Sequence, residues 1–206
     1  GLMVFDPRTG KVEPFLDRPL VQRFKGLNDL SFASNGDLYF TDQGQTGLHD
    51  ATGRVYRLAA DGRLDCLLSN VPSPNGLVLN LHEDVLFVAV TRANAIWRVP
   101  LVKLHGLVTK VGSWIQLSGG GGPDGLALDE GGGIAVCHVG LGAVWIFDEL
   151  GQPALRLDSP VGRMTTNCAY GGPGRGRIFV TAGEHVLVAE VQTPGAPTQA
   201  QRTASG

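Results

Sequence analysis

Leu27-Asn28-Asp29-Leu30, Pro74-Asn75-Gly76-Leu77 and Pro123-Asp124-Gly125-Leu126 are three copies of one short pattern. In each, an amide or carboxylate side chain stands just ahead of an apolar run: Leu30-Ser31-Phe32, Leu77-Val78-Leu79 or Leu126-Ala127-Leu128. A looser fourth copy is Thr166-Asn167-Cys168-Ala169-Tyr170. From Asn28 to Asn75, Asp124 and Asn167 the steps are 47, 49 and 43 residues. A period of that length marks a blade-type array, in which each unit needs its neighbours to bury its faces.

Three further strand types recur between these openings. The second type comprises Leu38-Tyr39-Phe40-Thr41-Asp42, Leu86-Phe87-Val88-Ala89-Val90, Ile134-Ala135-Val136-Cys137-His138 and Ile178-Phe179-Val180-Thr181-Ala182. Each follows a Gly/Asn/Pro-rich turn cluster such as Asn35-Gly36-Asp37. The third type carries aromatics and leads to a turn glycine, as in Val55-Tyr56 to Gly62, Ile96-Trp97 to Gly106 and Val144-Trp145 to Gly151. Short fourth strands follow, and helical spacing is scarce. Four strands in about 45 residues is a propeller blade. The pattern predicts an all-β β-propeller: the last two strands of one blade, three whole blades and most of a fifth. Residues 1–195 are expected to form this partial propeller, and the polar residues 196–206 a disordered tail.

Composition agrees. Thirty Gly and twelve Pro against 43% hydrophobic residues suit short strands joined by tight turns. A net charge of −2 offers no field for nucleic acid or anionic lipid. No apolar run is long enough to span a membrane as a helix. Three cysteines without a Cys-x-x-Cys pair argue against both a disulfide framework and a zinc-thiolate site. They favour a reducing compartment, which with the lack of a leader pattern points to the cytoplasm. The chain starts at Gly1 almost directly in a strand, so further N-terminal sequence is expected to be missing.

First strands of propeller blades line the central channel and run the same way, so their opening residues converge at one mouth. Asn28, Asn75, Asp124 and Asn167 would gather there. Amide and carboxylate oxygens are hard donors, suited to Ca²⁺, Mg²⁺ or Mn²⁺. Any one such copy, taken alone, is equally a turn dipeptide.

The combination of these motifs with Leu-Tyr-Phe-Thr-Asp-Gln-Gly at 38–44, His-Val-Gly-Leu-Gly at 138–142 and Thr-Asn-Cys-Ala-Tyr-Gly-Gly at 166–172 resembles the senescence marker protein/gluconolactonase/luciferin-regenerating enzyme family. The resemblance covers about residues 1–195. It implies a six-bladed propeller with one divalent metal ion (Ca, Mn, Mg or Zn) in its channel, opening a small-molecule sugar lactone. By resemblance, Asn75 and Asp124 match metal ligands, Asp124 also matches the proton-transfer residue, and Asn28 matches a substrate- or water-contacting residue. The family's remaining ligand, a Glu within a Glu-Gly-Pro segment, has no counterpart here.

Asp42 and His138 end the second strands at a position held by Val90 and Ala182 in the other copies. They are either channel-mouth residues or buried hydrogen-bonding groups. Residues 43–50 form the longest insertion, a lid or a surface loop. Gly119-Gly120-Gly121-Gly122 has no Lys-Ser/Thr after it, so it reads as a flexible approach to Asp124 rather than a phosphate loop. No Gly-x-Ser-x-Gly elbow occurs, and His82 and His105 lack a paired Ser or Cys. The alternatives to a metal-dependent lactonase are a scaffold propeller holding a structural cation and a strictosidine synthase-like propeller.

Overall fold

The computed structural model describes residues 1–18, 23–101, 108–199 and 201. The turn glycine expected at Gly106, His105 and most of the terminal tail lie outside them. The strands are, in chain order, β1 (Leu2–Phe5), β2 (Val12–Leu16), β3 (Leu27–Phe32), β4 (Leu38–Asp42), β5 (Gly53–Leu58), β6 (Leu64–Val71), β7 (Pro74–Leu79), β8 (Val85–Val90), β9 (Ala95–Pro100), β10 (Gly112–Gln116), β11 (Gly122–Leu128), β12 (Ile134–Val139), β13 (Ala143–Phe147), β14 (Pro153–Asp158), β15 (Thr165–Gly171), β16 (Arg177–Ala182) and β17 (His185–Glu190). They form antiparallel sheets β1–β2, β3–β6, β7–β10, β11–β14 and β15–β17. The architecture is the β-propeller expected: two strands of one blade, three whole blades, and three strands of the next.

Each second strand explains its unbroken apolar sequence. Side chains alternate between the two faces of a strand, and here both faces are covered. Leu86 and Val88 of β8 pack into a core with Tyr39 and Val55 of the preceding blade, while Phe87 and Ala89 pack with Ile134 and Val136 of the following one. β12 repeats this, turning Ala135 and Cys137 towards Cys168, Ile178 and Val180. A further cluster joins Leu2 to Leu38, Phe40 and Tyr56, whose rings stack at 5.3 Å. The cores therefore lie between blades. At the two flanks, Phe5 and Phe15 on one side and Val186 and Val188 on the other stand exposed.

The inner strands touch in sequence order, β3 with β7, β7 with β11 and β11 with β15. Their middle and later residues surround a cavity bounded by Phe32, Leu79, Leu128 and Tyr170. Across its far end runs the segment expected to begin a free tail. Ala196 N–H donates to the Leu128 carbonyl at 2.9 Å, and Ala196 joins the core between the second and third whole blades. Just ahead of it, Arg175 Nε donates to the Gly195 carbonyl at 2.6 Å. Through residue 196 this segment is held by backbone bonds that its composition does not reveal. Among the described residues no helix is long and apolar enough to cross a membrane.

The inner strands approach so closely that glycine is required where they touch. A Cβ on Gly76 would stand against the Asp124 carbonyl oxygen and 2.8 Å from the Gly125 Cα. Gly76→Ala must therefore push β7 and β11 apart. We expect it to destabilise the protein by about 2–3 kcal/mol, whereas Gly62→Ala, whose added Cβ meets nothing within 4 Å, costs only the strain of its positive φ. Chemical denaturation of the two variants checks this, and equal costs would contradict the close approach.

Candidate functional site

Every inner strand breaks register at its start. Pairing skips between Leu27 and Leu30 in β3, Pro74 and Leu77 in β7, Pro123 and Leu126 in β11, and Thr165 and Asn167 in β15. Such bulges lift residues out of the ladder and re-aim their side chains. Asn28, Asn75 and Asp124 sit in the first three bulges, at the same register. In β15 that place belongs to Thr166. Asn167 instead pairs with Thr181, in register with Asp29, Gly76 and Gly125, and packs its side chain against Gly125. The shorter step of 43 residues conceals this one-residue offset.

Asn75 is buried and Asp124 half-buried, and the Asn75 amide hydrogen-bonds the Asp124 carboxylate. Burial pushes the Asp124 carboxyl up to about 6; the Asn75 hydrogen bond opposes this, and the charge of Asp29 adds to it. Asn28 occupies the matching bulge on β3 with its side chain exposed. The structure thus brings Asn75 and Asp124 into contact, and sets beside them a carboxylate that the motif search passed over.

That carboxylate is Asp29. It stands where the other two copies have glycine, half-buried between β3 and β7. Its Oδ1 accepts the Leu30 N–H at 2.8 Å and its Oδ2 accepts the Leu77 N–H of the next blade at 3.1 Å. Burial raises its pKa, while those two backbone bonds lower it. The signal in the sequence was Asn-Asp-Leu standing where the repeat has Asn-Gly-Leu or Asp-Gly-Leu.

Asp42 and His138 are both fully buried and both hold loops. Asp42 Oδ1 accepts the backbone N–H groups of Lys25 and Gly26, at 2.8 and 2.6 Å, pinning the segment that leads into β3. The Trp145 indole N–H donates to His138 Nδ1 at 3.3 Å, which leaves Nε2 to donate to the Gly119 carbonyl at 3.0 Å. Burial lowers the His138 pKa, so the ring is neutral. Their contacts are hydrogen bonds to loop backbone and to the Trp145 indole, while the buried Asp42 Oδ2 has no hydrogen-bond partner among the described residues. His138 also fixes the glycine run ahead of Asp124, which is not a flexible approach. Gly121 N–H donates to the Val139 carbonyl at 2.7 Å, and a Cβ on Gly120 would meet Leu141 at 2.8 Å. Glycine is there because backbone and side chains close in on it.

Asn75 and Asp124 bring an amide and a carboxylate together, both hard oxygen donors, and the Asp29 charge acts on Asp124. Among the described residues, no three or more His, Cys, Asp or Glu side chains are grouped to hold a metal ion. Cys137 and Cys168 are free, buried thiols within the core between the last two sheets.

The chain is 30% identical to a gluconolactonase of Zymomonas mobilis over 212 residues, covering 95% of this chain and 58% of that protein. It is 32% identical over 131 residues to a lactonase of Staphylococcus aureus, covering 62% of this chain and 40% of that one. The chain thus spans about half the length of the relatives it matches. Its fold superposes on a calcium-binding protein, regucalcin, from Agrobacterium tumefaciens with a TM-score of 0.79 and 28% identity, covering 96% of this chain and 72% of that one. The sequence profile of the SMP-30/gluconolactonase/LRE-like region matches residues 1–184, and the chain belongs to that family.

Proposed function

We propose that this chain carries the water-activating part of a metal-dependent lactone hydrolase, gluconolactonase-like in chemistry. The observation that carries the reading is Asp124, a half-buried carboxylate beside the buried Asn75 amide and within reach of the Asp29 charge. The gluconolactonase and lactonase relatives support a cyclic-ester substrate, and the calcium-binding neighbour supports a cation.

The donor set fits one divalent ion, with Asn75 and Asp124 as the residues that would hold it. Such an ion, when bound, polarises a carbonyl and acidifies water. The chain's own groups divide the remaining work. Asp124 accepts a proton from water as the water oxygen bonds to the lactone carbonyl carbon. The bond from that carbon to the ring oxygen then breaks, and Asp124 returns the proton to the departing oxygen, giving the open hydroxy acid. Asn28, exposed at the matching bulge, is placed to hydrogen-bond a ring hydroxyl without changing protonation. Asn75 stays neutral and supports the ionised form of Asp124.

Hydrolysis of glucono-δ-lactone by the full-length protein tests this. EDTA should abolish turnover, and Ca²⁺, Mn²⁺ or Zn²⁺ should restore it. Cation binding without turnover would instead make the protein a scaffold propeller. Asp124→Asn should cut kcat by about 10²–10⁴-fold even at saturating metal. Asn75→Ala should act mainly by weakening metal binding and recover in excess cation, while Asn28→Ala should lower turnover with metal affinity near wild type. Full recovery of Asp124→Asn by added metal would remove its role as base.

Asp124 also predicts a pH signature in the chelated protein. Its folded pKa, about 6, lies above the ordinary 3.8, so the folded state holds the proton more tightly. Its contribution to stability is complete below about pH 4 and is lost as pH rises through 6. Asp124→Asn should therefore gain about 1–2 kcal/mol on wild type between pH 4 and pH 7.5, a figure reduced for solvent screening. Guanidinium melts with EDTA at the two pH values measure it, and a gain of opposite sign would contradict the burial cost.

A further inference from the structure

The bulge takes Asn75 out of the paired register of β7 with β8, and the residue lies buried. A buried carbonyl needs a donor. The Asn75 carbonyl accepts from the hydroxyl of Thr41, a fully buried residue on β4 of the preceding blade, at 2.8 Å. The same hydroxyl accepts the Asp29 N–H at 3.1 Å, and Asp29 in turn reaches back to the Leu77 N–H. We infer that Thr41 is the positioning residue of the site, its hydroxyl locking the Asn75 backbone of one blade to the Asp29 bulge of the blade before it. This rests on the lactone-hydrolase reading above and names the group that holds its amide donor in place.

The repeat itself supports the assignment. In register with Thr41 stand Ala89, Cys137 and Thr181. The bulges opposite Ala89 and Cys137 carry Gly76 and Gly125, and those opposite the two threonines carry Asp29 and Asn167. Thr181 likewise accepts the Asn167 N–H, at 2.9 Å, and Asn167 Oδ1 accepts the next backbone N–H, that of Cys168, at 2.8 Å, as Asp29 Oδ1 does with Leu30. Threonine therefore accompanies an Asp or Asn in the bulge. Of these two threonines, it is Thr41 whose hydroxyl lies on Asn75. A parallel bond follows one blade on, where the Thr91 hydroxyl donates to the Pro123 carbonyl at 2.8 Å, just ahead of Asp124.

A hydroxyl can accept from one backbone group and donate to another at once, which neither valine nor alanine can do. Groups behind a metal ligand typically change metal affinity by 10- to 100-fold when lost. The test is Mn²⁺ titration of the full-length protein, with lactone turnover alongside, in wild type, Thr41→Val and Thr41→Ser. Thr41→Val should weaken Mn²⁺ binding by about 10- to 100-fold at a temperature where melting curves show it fully folded. Thr41→Ser, which keeps the hydroxyl, should bind within about threefold of wild type. Thr41→Ala, which adds no bulk, carries the comparison if the valine variant does not fold. Wild-type Mn²⁺ affinity in Thr41→Val, or an equal loss in Thr41→Ser, would overturn the role of the hydroxyl while leaving the hydrolase reading intact. A wild type that neither binds Mn²⁺ nor opens a lactone would overturn both.

Discussion

The close approach of successive inner strands governs the site. β7 and β11 run so near that only hydrogen fits at Gly76, and Gly125 is closed in the same way by Asn167. At that separation, backbone and side-chain atoms of one blade bond directly to the strand of the next, as Asp29 does to Leu77 and Thr41 to Asn75. The bulges are part of the same arrangement. They take residues out of the paired register at the start of each inner strand, and the neighbouring blade supplies hydrogen bonds there. Desolvation follows from this packing, and with it the raised pKa of Asp124.

Much of this was legible in the chain. Strand alternation combined with a repeat near 45 residues led to the propeller and to its division into partial and whole blades. Repetition likewise singled out Asn75 and Asp124, which the structure places in contact. Four features stayed hidden for identifiable reasons. A bulge inserts a residue without altering composition, so the offset of Asn167 could not be read from spacing. Asp29 was masked by its neighbour Asn28, because a motif built on one polar residue ignores the next. Asp42 and His138 share a repeat position with apolar residues, and only their partners, the Lys25 and Gly26 amides and the Gly119 carbonyl, reveal that they hold loops. The backbone bonds of residues 194–196 depend on distant carbonyls that no local pattern records.

The glycine run before Asp124 illustrates the difference between composition and constraint. Four consecutive glycines suggest freedom of movement, yet Gly122 is closed in by the Thr91 carbonyl and Gly120 by Leu141 and His138. Behind them a buried chain of contacts extends outwards. Gly119 is held by the neutral His138, His138 by the Trp145 indole, and the Trp145 ring lies under the Arg156 guanidinium at 5.0 Å. The Arg156 charge sits at the rim, and the segment it supports through this chain leads to the candidate base.

Because the cores lie between blades, the molecule behaves as a row of coupled units, each bound only to its neighbours. In such a row, cooperativity is set by nearest-neighbour contacts. The candidate site is made from several units at once: Asp29 belongs to one blade, Asn75 to the next and Asp124 to the one after. Opening a single interface would separate these side chains while every blade kept its own hydrogen-bonded sheet. Loss of function and loss of secondary structure are then distinct events, and the weakest seam between blades, rather than global unfolding, sets how long the site stays assembled.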